Sequence, residues 1–263
     1  MKVAVCIKQV PDTTEIRIDP VKKTLIRTGV PSIMNPFDVN AVEAALKLKD
    51  QYGGEVTVIS MGPPQAKVIL REALAMGADH AYLVTDRAFG GSDTYATSYI
   101  LSQALKKFGP FDVVLGGKQA IDGDTGQTAP SIAEHLGVAR LTYVLDMKVE
   151  GDKMIASRQV EEGSQIIEAK LPVLCTVTKD TNTPRYPTLR RKLQSLRCEI
   201  PDVTLADMPE GFDTSKIGLN GSPTRVKYTF TPERSNQCEK LAGNTAAELA
   251  QNLIAKLTAA KAL

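Results

Sequence analysis

An apolar stretch, a glycine- or proline-rich loop and a helical stretch recur in that order through the first half of this chain, and this rhythm constrains the fold more than any single motif. Lys2 to Val10 reads as a strand. In Asn35-Pro36-Phe37-Asp38, Asn35 suits a helix N-cap and Pro36 the first helical position; Val39, Val42, Ala45 and Leu46 then repeat with helical spacing as far as Tyr52-Gly53-Gly54. Glu55 to Ser60 is the next strand, Met61-Gly62-Pro63-Pro64 its loop, Gln65 to Met76 its helix and Gly77 the stop. Ala81 to Val84, a cap region Gly90-Gly91-Ser92-Asp93, and a helix from Thr94 to Phe108 closed by Gly109-Pro110 make a third unit. Such units predict an α/β fold with a mostly parallel, doubly wound sheet and helices on both faces. The loops that follow the strands then share one edge. Loops at 6–12, 35–38, 61–64 and 116–128 are expected to meet there.

The last of these loops is the richest in chemistry. Asp112 to Leu115 reads as a buried strand, Gly116 to Thr128 as a polar loop with glycines at 116, 117, 123 and 126, and Thr128 to Leu136 as a short helix closed by Gly137. Glycines there permit positive φ and close backbone approach, and a helix N-terminus favours negative charge, so a phosphate-bearing ligand is the expected guest. Neither the Gly-x-Gly-x-x-Gly fingerprint nor a Gly-Lys-Ser/Thr phosphate loop is present, and a ligand-free surface loop has the same local pattern. Lys8, Gln9, Pro11 and Asp12 at the end of the first strand form a second candidate wall. For Asn35, helix capping and ligand contact are both open.

Glu15 to Ile18 and Thr24 to Arg27, flanking Asp19-Pro20-Val21-Lys22-Lys23, suggest a small hairpin. After Gly137 the period changes: Tyr143, Leu145, Met147 and Val149 alternate with polar residues, and turn signals stand at Gly151-Asp152 and Gly163-Ser164. Antiparallel strands are expected to complete the sheet, followed by one more apolar strand at Pro172 to Thr178. Pro184, Pro187 and Pro201 then break the chain, so the expected domain covers residues 1–200. Residues 201–263 form a C-terminal extension ending in a capped helix from Asn244.

A net charge of +2 gives no argument for nucleic acid as a partner. Cys6, Cys175, Cys198 and Cys238 are widely spaced, which favours reduced thiols over a zinc site or a disulfide framework. His80 and His135 show no ligand spacing. No apolar run approaches the roughly 18 residues of a membrane span, and a strand begins at once after Met1, so a cytoplasmic protein without membrane insertion is expected.

Val3 to Asp12, Asn35 to Asp38, Ser60 to Pro63, Ala73 to Asp79 and Gly117 to Thr128, with Glu161-Glu162-Gly163, Pro172-Val173-Leu174 and Pro187-Thr188-Leu189 after them, resemble the β subunit of electron transfer flavoprotein in order along the whole chain. The resemblance implies an adenine-nucleotide-binding type of α/β sheet, a heterodimer with an α subunit on which residues 201–263 pack, and electron passage through FAD. Position by position it implies a cofactor site made of Cys6, Asn35, Pro36, Phe37, Asp38, Met61, Gly117, Lys118, Gln119, Ala120, Ile121, Asp122, Gly123, Asp124, Thr125, Gly126, Gln127 and Thr128, with no catalytic side chain and no metal. It also implies partner docking by Leu189, Arg190 and Arg191 onto an acyl-CoA dehydrogenase-type flavoenzyme.

Many members of the family hold AMP in this subunit, but Ile121-Asp122-Gly123-Asp124-Thr125-Gly126-Gln127-Thr128 resembles the version in electron-bifurcating anaerobic relatives, where FAD replaces it. That version implies NADH as electron donor and a low-potential acceptor such as ferredoxin or flavodoxin. Two other readings stand beside it: a conventional shuttle with structural AMP, and an ATP-using enzyme of the pyrophosphate-loop type, for which Gly90-Gly91-Ser92-Asp93-Thr94 is the sequence feature.

Overall fold

The computed structural model describes residues 1–12, 31–228 and 238–262. The hairpin expected between Glu15 and Arg27 lies outside the described residues. The chain runs β1 (Lys2–Cys6), β2 (Gln9–Pro11), β3 (Ser32–Met34), α1 (Pro36–Tyr52), β4 (Glu55–Met61), α2 (Lys67–Met76), β5 (His80–Val84), α3 (Thr94–Phe108), β6 (Val113–Gly117) and α4 (Thr128–Leu136). It continues through β7 (Ala139–Glu150), β8 (Lys153–Val160), β9 (Gly163–Lys170), β10 (Val173–Val177), α5 (Leu189–Arg197) and β11 (Asp202–Val203) to α6 (Ala246–Ala259). Nine strands form one sheet in the order β11-β5-β4-β1-β6-β10-β7-β8-β9, and β2 pairs with β3 in a small antiparallel ribbon.

Strand β1 lies between β4 and β6, parallel to both, and side-chain alternation divides the core in two. Val3 and Val5 of β1, Val56 and Val58 of β4, Val113 and Leu115 of β6, and Val173, Cys175 and Val177 of β10 pack with α1 and α2 on one face. Ala4, Ile59, Val114 and Leu174 point to the other face, where α3 and α4 supply Ile100, Leu105 and Ile132. A strand covered on both faces has no polar side to show, which is why these strands read as nearly continuous apolar runs.

The chain moves from β1 through β4 to β5, then returns over α3 to β6 on the opposite side of β1. The strand order therefore reverses between β1 and β6, and the crevice beyond their carboxyl ends is where a doubly wound sheet offers a ligand site. Strand β10 enters between β6 and β7, parallel to both, while β7, β8 and β9 form the antiparallel completion. The second turn falls at Glu161-Glu162, with Gly163 already in β9.

The compact unit runs on to Lys227, past the boundary drawn at residue 200 from the prolines. Pro201 ends no domain, because β11 immediately joins the sheet edge at β5, and Val203 and Ile217 are buried in the core. In the second unit, α6 is capped by Thr245, whose hydroxyl accepts from the Glu248 N–H at 3.2 Å.

Candidate nucleotide site

Register brings the expected residues to one place. Cys6 at the end of β1 lies opposite Ile59 on one side and Gly116 on the other, so Cys6, Met61 and Gly117 end three adjacent strands. The N-terminus of α1 meets the same edge, since Asn35 N–H donates to the Lys8 carbonyl at 2.9 Å.

Two buried side chains from that N-terminus tie the loops together. The Asp38 carboxylate accepts from the N–H of Lys8 at 2.7 Å and from the N–H of Gly117 at 3.1 Å, linking the loop after β1 to the end of β6. Burial pushes its pKa up to about 7, against the pull of hydrogen bonds from Asn35, Lys8 and Gly117. Burial, reinforced by the Asp38 charge, likewise pushes the Cys6 thiol up to about 12, so it stays protonated. Asn35 donates from Nδ2 to the Gln119 carbonyl at 2.9 Å and accepts at Oδ1 from the Ile121 N–H at 3.2 Å, as a neighbouring strand would. Its side chain makes no helix-cap bond. Beside the two roles left open for Asn35, the structure supplies a third: it braces the glycine-rich loop. Lys8 Nζ bridges the Asp122 carboxylate at 2.5 Å across the mouth of the same crevice.

The glycines of the loop serve different ends. A Cβ at Gly117 would lie 2.4 Å from Asp38 Oδ1, so this position must be glycine for the clamp to close. Gly126 alone of the four takes a left-handed φ, at +62°. At Gly123 a Cβ would meet nothing within 4 Å, and the backbone needs no positive φ there. Ala120 to Asp124 make one turn, with the N–H groups of Gly123 and Asp124 donating to the Ala120 carbonyl and Gln119 Nε2 donating to Asp124 at 2.8 Å. Helix α4 starts at Thr128 without a side-chain cap from Gln127, and a helix N-terminus of this kind favours negative charge.

The remaining expected residues fall at the edge or apart from it. Pro36 and Phe37 open α1, and Lys179 Nζ lies 5.1 Å from the Phe37 ring centroid. Lys118 Nζ sits 4.9 Å from the Tyr143 ring centroid. Leu189, Arg190 and Arg191 begin α5, which packs on α2 and not at this edge; Leu189 is 74% exposed. Lys8, Tyr143 and Lys179, which contact Asp122, Lys118 and Phe37, stand outside the expected cofactor set. Lys8 was legible as a polar residue after β1, whereas Tyr143 and Lys179 arrive from β7 and from the end of β10, outside the repeating units.

The Gly90–Thr94 segment has its side chains engaged within the chain. Asp93 caps α3 through the Ala96 N–H and also accepts from Thr224, and the Ser92 hydroxyl donates to Phe89 and accepts from the Gly218 N–H. It is a cap and a tether, not a pyrophosphate loop. A hollow of about 390 Å³ between the ends of α3 and α4, lined by Leu105, Phe111, Leu136 and Pro172, lies at the opposite edge of the sheet and is mainly apolar. Among the described residues no cluster of His, Cys, Asp or Glu is arranged to hold a metal ion, and no helix is long and apolar enough to cross a membrane.

Residues 22–208 match the family model described as electron transfer flavoprotein domain. The chain is 53% identical to the electron transfer flavoprotein subunit beta of Thermoanaerobacterium thermosaccharolyticum over 98% of each chain. It is 49% identical to the caffeyl-CoA reductase-Etf complex subunit CarD of Acetobacterium woodii, also over 98% of each. It is 44% identical to protein FixA of Azotobacter vinelandii over 98% of this chain and 94% of that one. A family match covering most of the sheet, together with relatives similar along nearly the whole chain, leads to one conclusion: the chain belongs to the electron transfer flavoprotein family as a β subunit, with a role in electron transfer.

Proposed function

We propose that this chain holds FAD in the crevice beyond β1 and β6 and pairs with an α subunit. The heterodimer oxidises NADH and divides the electron pair between an acyl-CoA dehydrogenase-type flavoenzyme and a low-potential acceptor such as ferredoxin or flavodoxin. Bound FAD supplies the one- and two-electron redox chemistry, and the chain's own residues bind and orient it.

The observation that carries the FAD reading is the unused space at Gly123. Its glycine answers no need of the backbone or of packing, and it stands beside an uncapped helix N-terminus. A dinucleotide larger than AMP needs both the room and the donors. In this reading Gln127 and Thr128 serve phosphates, while Asn35 and Asp38 hold the loops at the right separation. The name of the Acetobacterium relative, a subunit of a complex with a CoA-ester reductase, supports a CoA-ester flavoenzyme as partner. For docking, Leu189 stands exposed beside Arg190 and Arg191, a small apolar anchor with charges to steer it. The chain beyond Lys227, including α6 with its exposed Leu249, Leu253 and Ile254, packs on the α subunit.

Extraction of the intact heterodimer is expected to yield two FAD and no AMP, and NADH is expected to bleach the flavin absorbance. One FAD with one AMP per heterodimer would overturn both the FAD assignment and the bifurcating reading, leaving a conventional shuttle with structural AMP.

A further inference from the structure

Tyr143 breaks the pattern of its own strand. It stands in an alternating apolar and polar stretch, yet its φ is +58°, a left-handed conformation that an aromatic side chain resists and that glycine or asparagine adopts readily. Pairing is irregular on both flanks of the residue: the register with β10 shifts between Cys175 and Val177, and the register with β8 shifts between Val144 and Asp146. The bulge turns the Tyr143 N–H out of the ladder, and the Thr176 hydroxyl, itself 1% exposed, accepts it at 3.0 Å.

If only a bulge were needed here, a residue suited to positive φ would make it with less strain. What the tyrosine adds is its side chain, and that side chain reaches the glycine-rich loop. The hydroxyl lies 3.9 Å from where a Cβ on Gly126 would be, one residue before the α4 cap, and Lys118 places its ammonium 4.9 Å from the ring centroid. Among the described residues nothing hydrogen-bonds the half-buried tyrosine hydroxyl. Strain held at a ligand-facing position is where a structure keeps a functional group.

We propose that Tyr143 and Lys118 form a phosphate clip across Gly126, with the Tyr143 hydroxyl donating to a phosphate oxygen of the nucleotide bound at the α4 N-terminus. The ring holds the Lys118 ammonium beside the same oxygen. The clip rests on the reading that the nucleotide lies along residues 117–128, and it serves AMP, ADP or FAD alike because it reads the phosphate.

AMP binding to the nucleotide-depleted heterodimer, measured by calorimetry, tests it with Tyr143→Phe and Tyr143→Asn. Tyr143→Phe keeps the ring and the strain and loses only the donor; it is expected to weaken AMP binding about fivefold, with the melting temperature of the ligand-free protein unchanged. Tyr143→Asn suits the backbone and removes the ring; it is expected to weaken binding at least tenfold without lowering that temperature. Parent affinity in Tyr143→Phe overturns the clip, whether or not the asparagine variant folds. Gly123→Val, which puts bulk into the open space that FAD needs and AMP does not, separates the two readings when the FAD content of the intact heterodimer is measured. If it loses one of two FAD while Tyr143→Phe binds AMP normally, only the clip fails. If it keeps two FAD while Tyr143→Phe binds AMP normally, the site along residues 117–128 fails with the clip.

Discussion

Helix α1 braces two segments in two different ways. At its N-terminus Asn35 and Asp38 reach backbone groups: the N–H groups of Lys8, Gly117 and Ile121 and the carbonyl of Gln119. Further along, Asn40, Glu43 and Asp50 share one face and reach the segment before α5, largely through side chains. Asn40 and Asn182 exchange hydrogen bonds, and Arg185 donates to Glu43 from Nε at 2.8 Å and from Nη2 at 3.1 Å, and to Asp50 at 2.7 Å. The first brace holds the loop by its backbone and occupies none of the loop's side chains. The second fixes one arginine and leaves Tyr186 and Leu189, just beyond it, facing solvent. A loop held by its backbone and a segment held by a charged anchor are therefore expected to fail differently.

The largest effect is expected from Asp38→Ala. It strands two buried N–H groups at once, each costing about 1–3 kcal/mol, so urea unfolding should show a loss of about 3 kcal/mol together with lower cofactor occupancy. Asp38→Asn keeps one acceptor and should lose less. A drop in cofactor content with unchanged stability would mean that Asp38 touches the ligand directly instead of bracing the loops.

The same carboxyl gives the first brace a pH dependence. Its folded pKa of about 7 lies above the unfolded value of 3.8, so the folded state binds the extra proton between those values. Stability is therefore expected to fall as pH rises from about 4 to 7, by a few kcal/mol from this group, and to be flat above that. The same titration of Asp38→Asn should lack this slope; a slope that survives in the variant belongs to another group.

Arg185→Ala comes next. It leaves the Glu43 carboxylate, whose side chain is 4% exposed, without its partner, whereas the Arg185 side chain is 35% exposed. Partial solvation reduces the loss to about 2 kcal/mol. Arg185→Lys should recover only part, because an ammonium cannot make the forked contact. Cofactor content should hold while electron transfer to the dehydrogenase slows; an unchanged rate would show that docking does not need the anchor.

The contrast also explains what the sequence disclosed. The parallel half was legible because both-face burial writes apolar runs and Gly or Pro punctuation into β1, β4, β5 and β6, and because the loops after adjacent strands must converge. The extent of the compact unit was not, since β11 is two residues long and follows a proline. Asn40 and Glu43 were hidden for a different reason. The apolar stripe Val39, Val42, Ala45 and Leu46 accounts for the helix, and buried polar residues beside it look like a solvent face until their partner, far along the chain at residues 182–185, is seen. Tyr143 was hidden because regular alternation predicts a regular strand, and a bulge leaves no signature when its residue is not glycine.

The smallest effect on the fold, and the clearest separation of the two regions, is expected from Leu189→Ala. Leu189 begins α5, behind the Thr188 cap that accepts from the Arg191 N–H at 3.3 Å, so neither the helix start nor the cap needs its side chain. With 74% of the residue exposed, truncation should change stability by less than about 0.5 kcal/mol and leave cofactor content as it was. Leu193 and Leu196 share its face of the helix and are exposed too, so the patch keeps most of its apolar area and loses its leading edge. If Leu189 enters a pocket on the flavoenzyme, the rate of transfer at limiting acceptor should fall about tenfold, as expected for an anchor worth more than about 1 kcal/mol. The dependence of that rate on salt should persist, because Arg190 and Arg191 still steer the encounter. Equal rates for the two proteins at limiting acceptor would rule out Leu189 as the anchor.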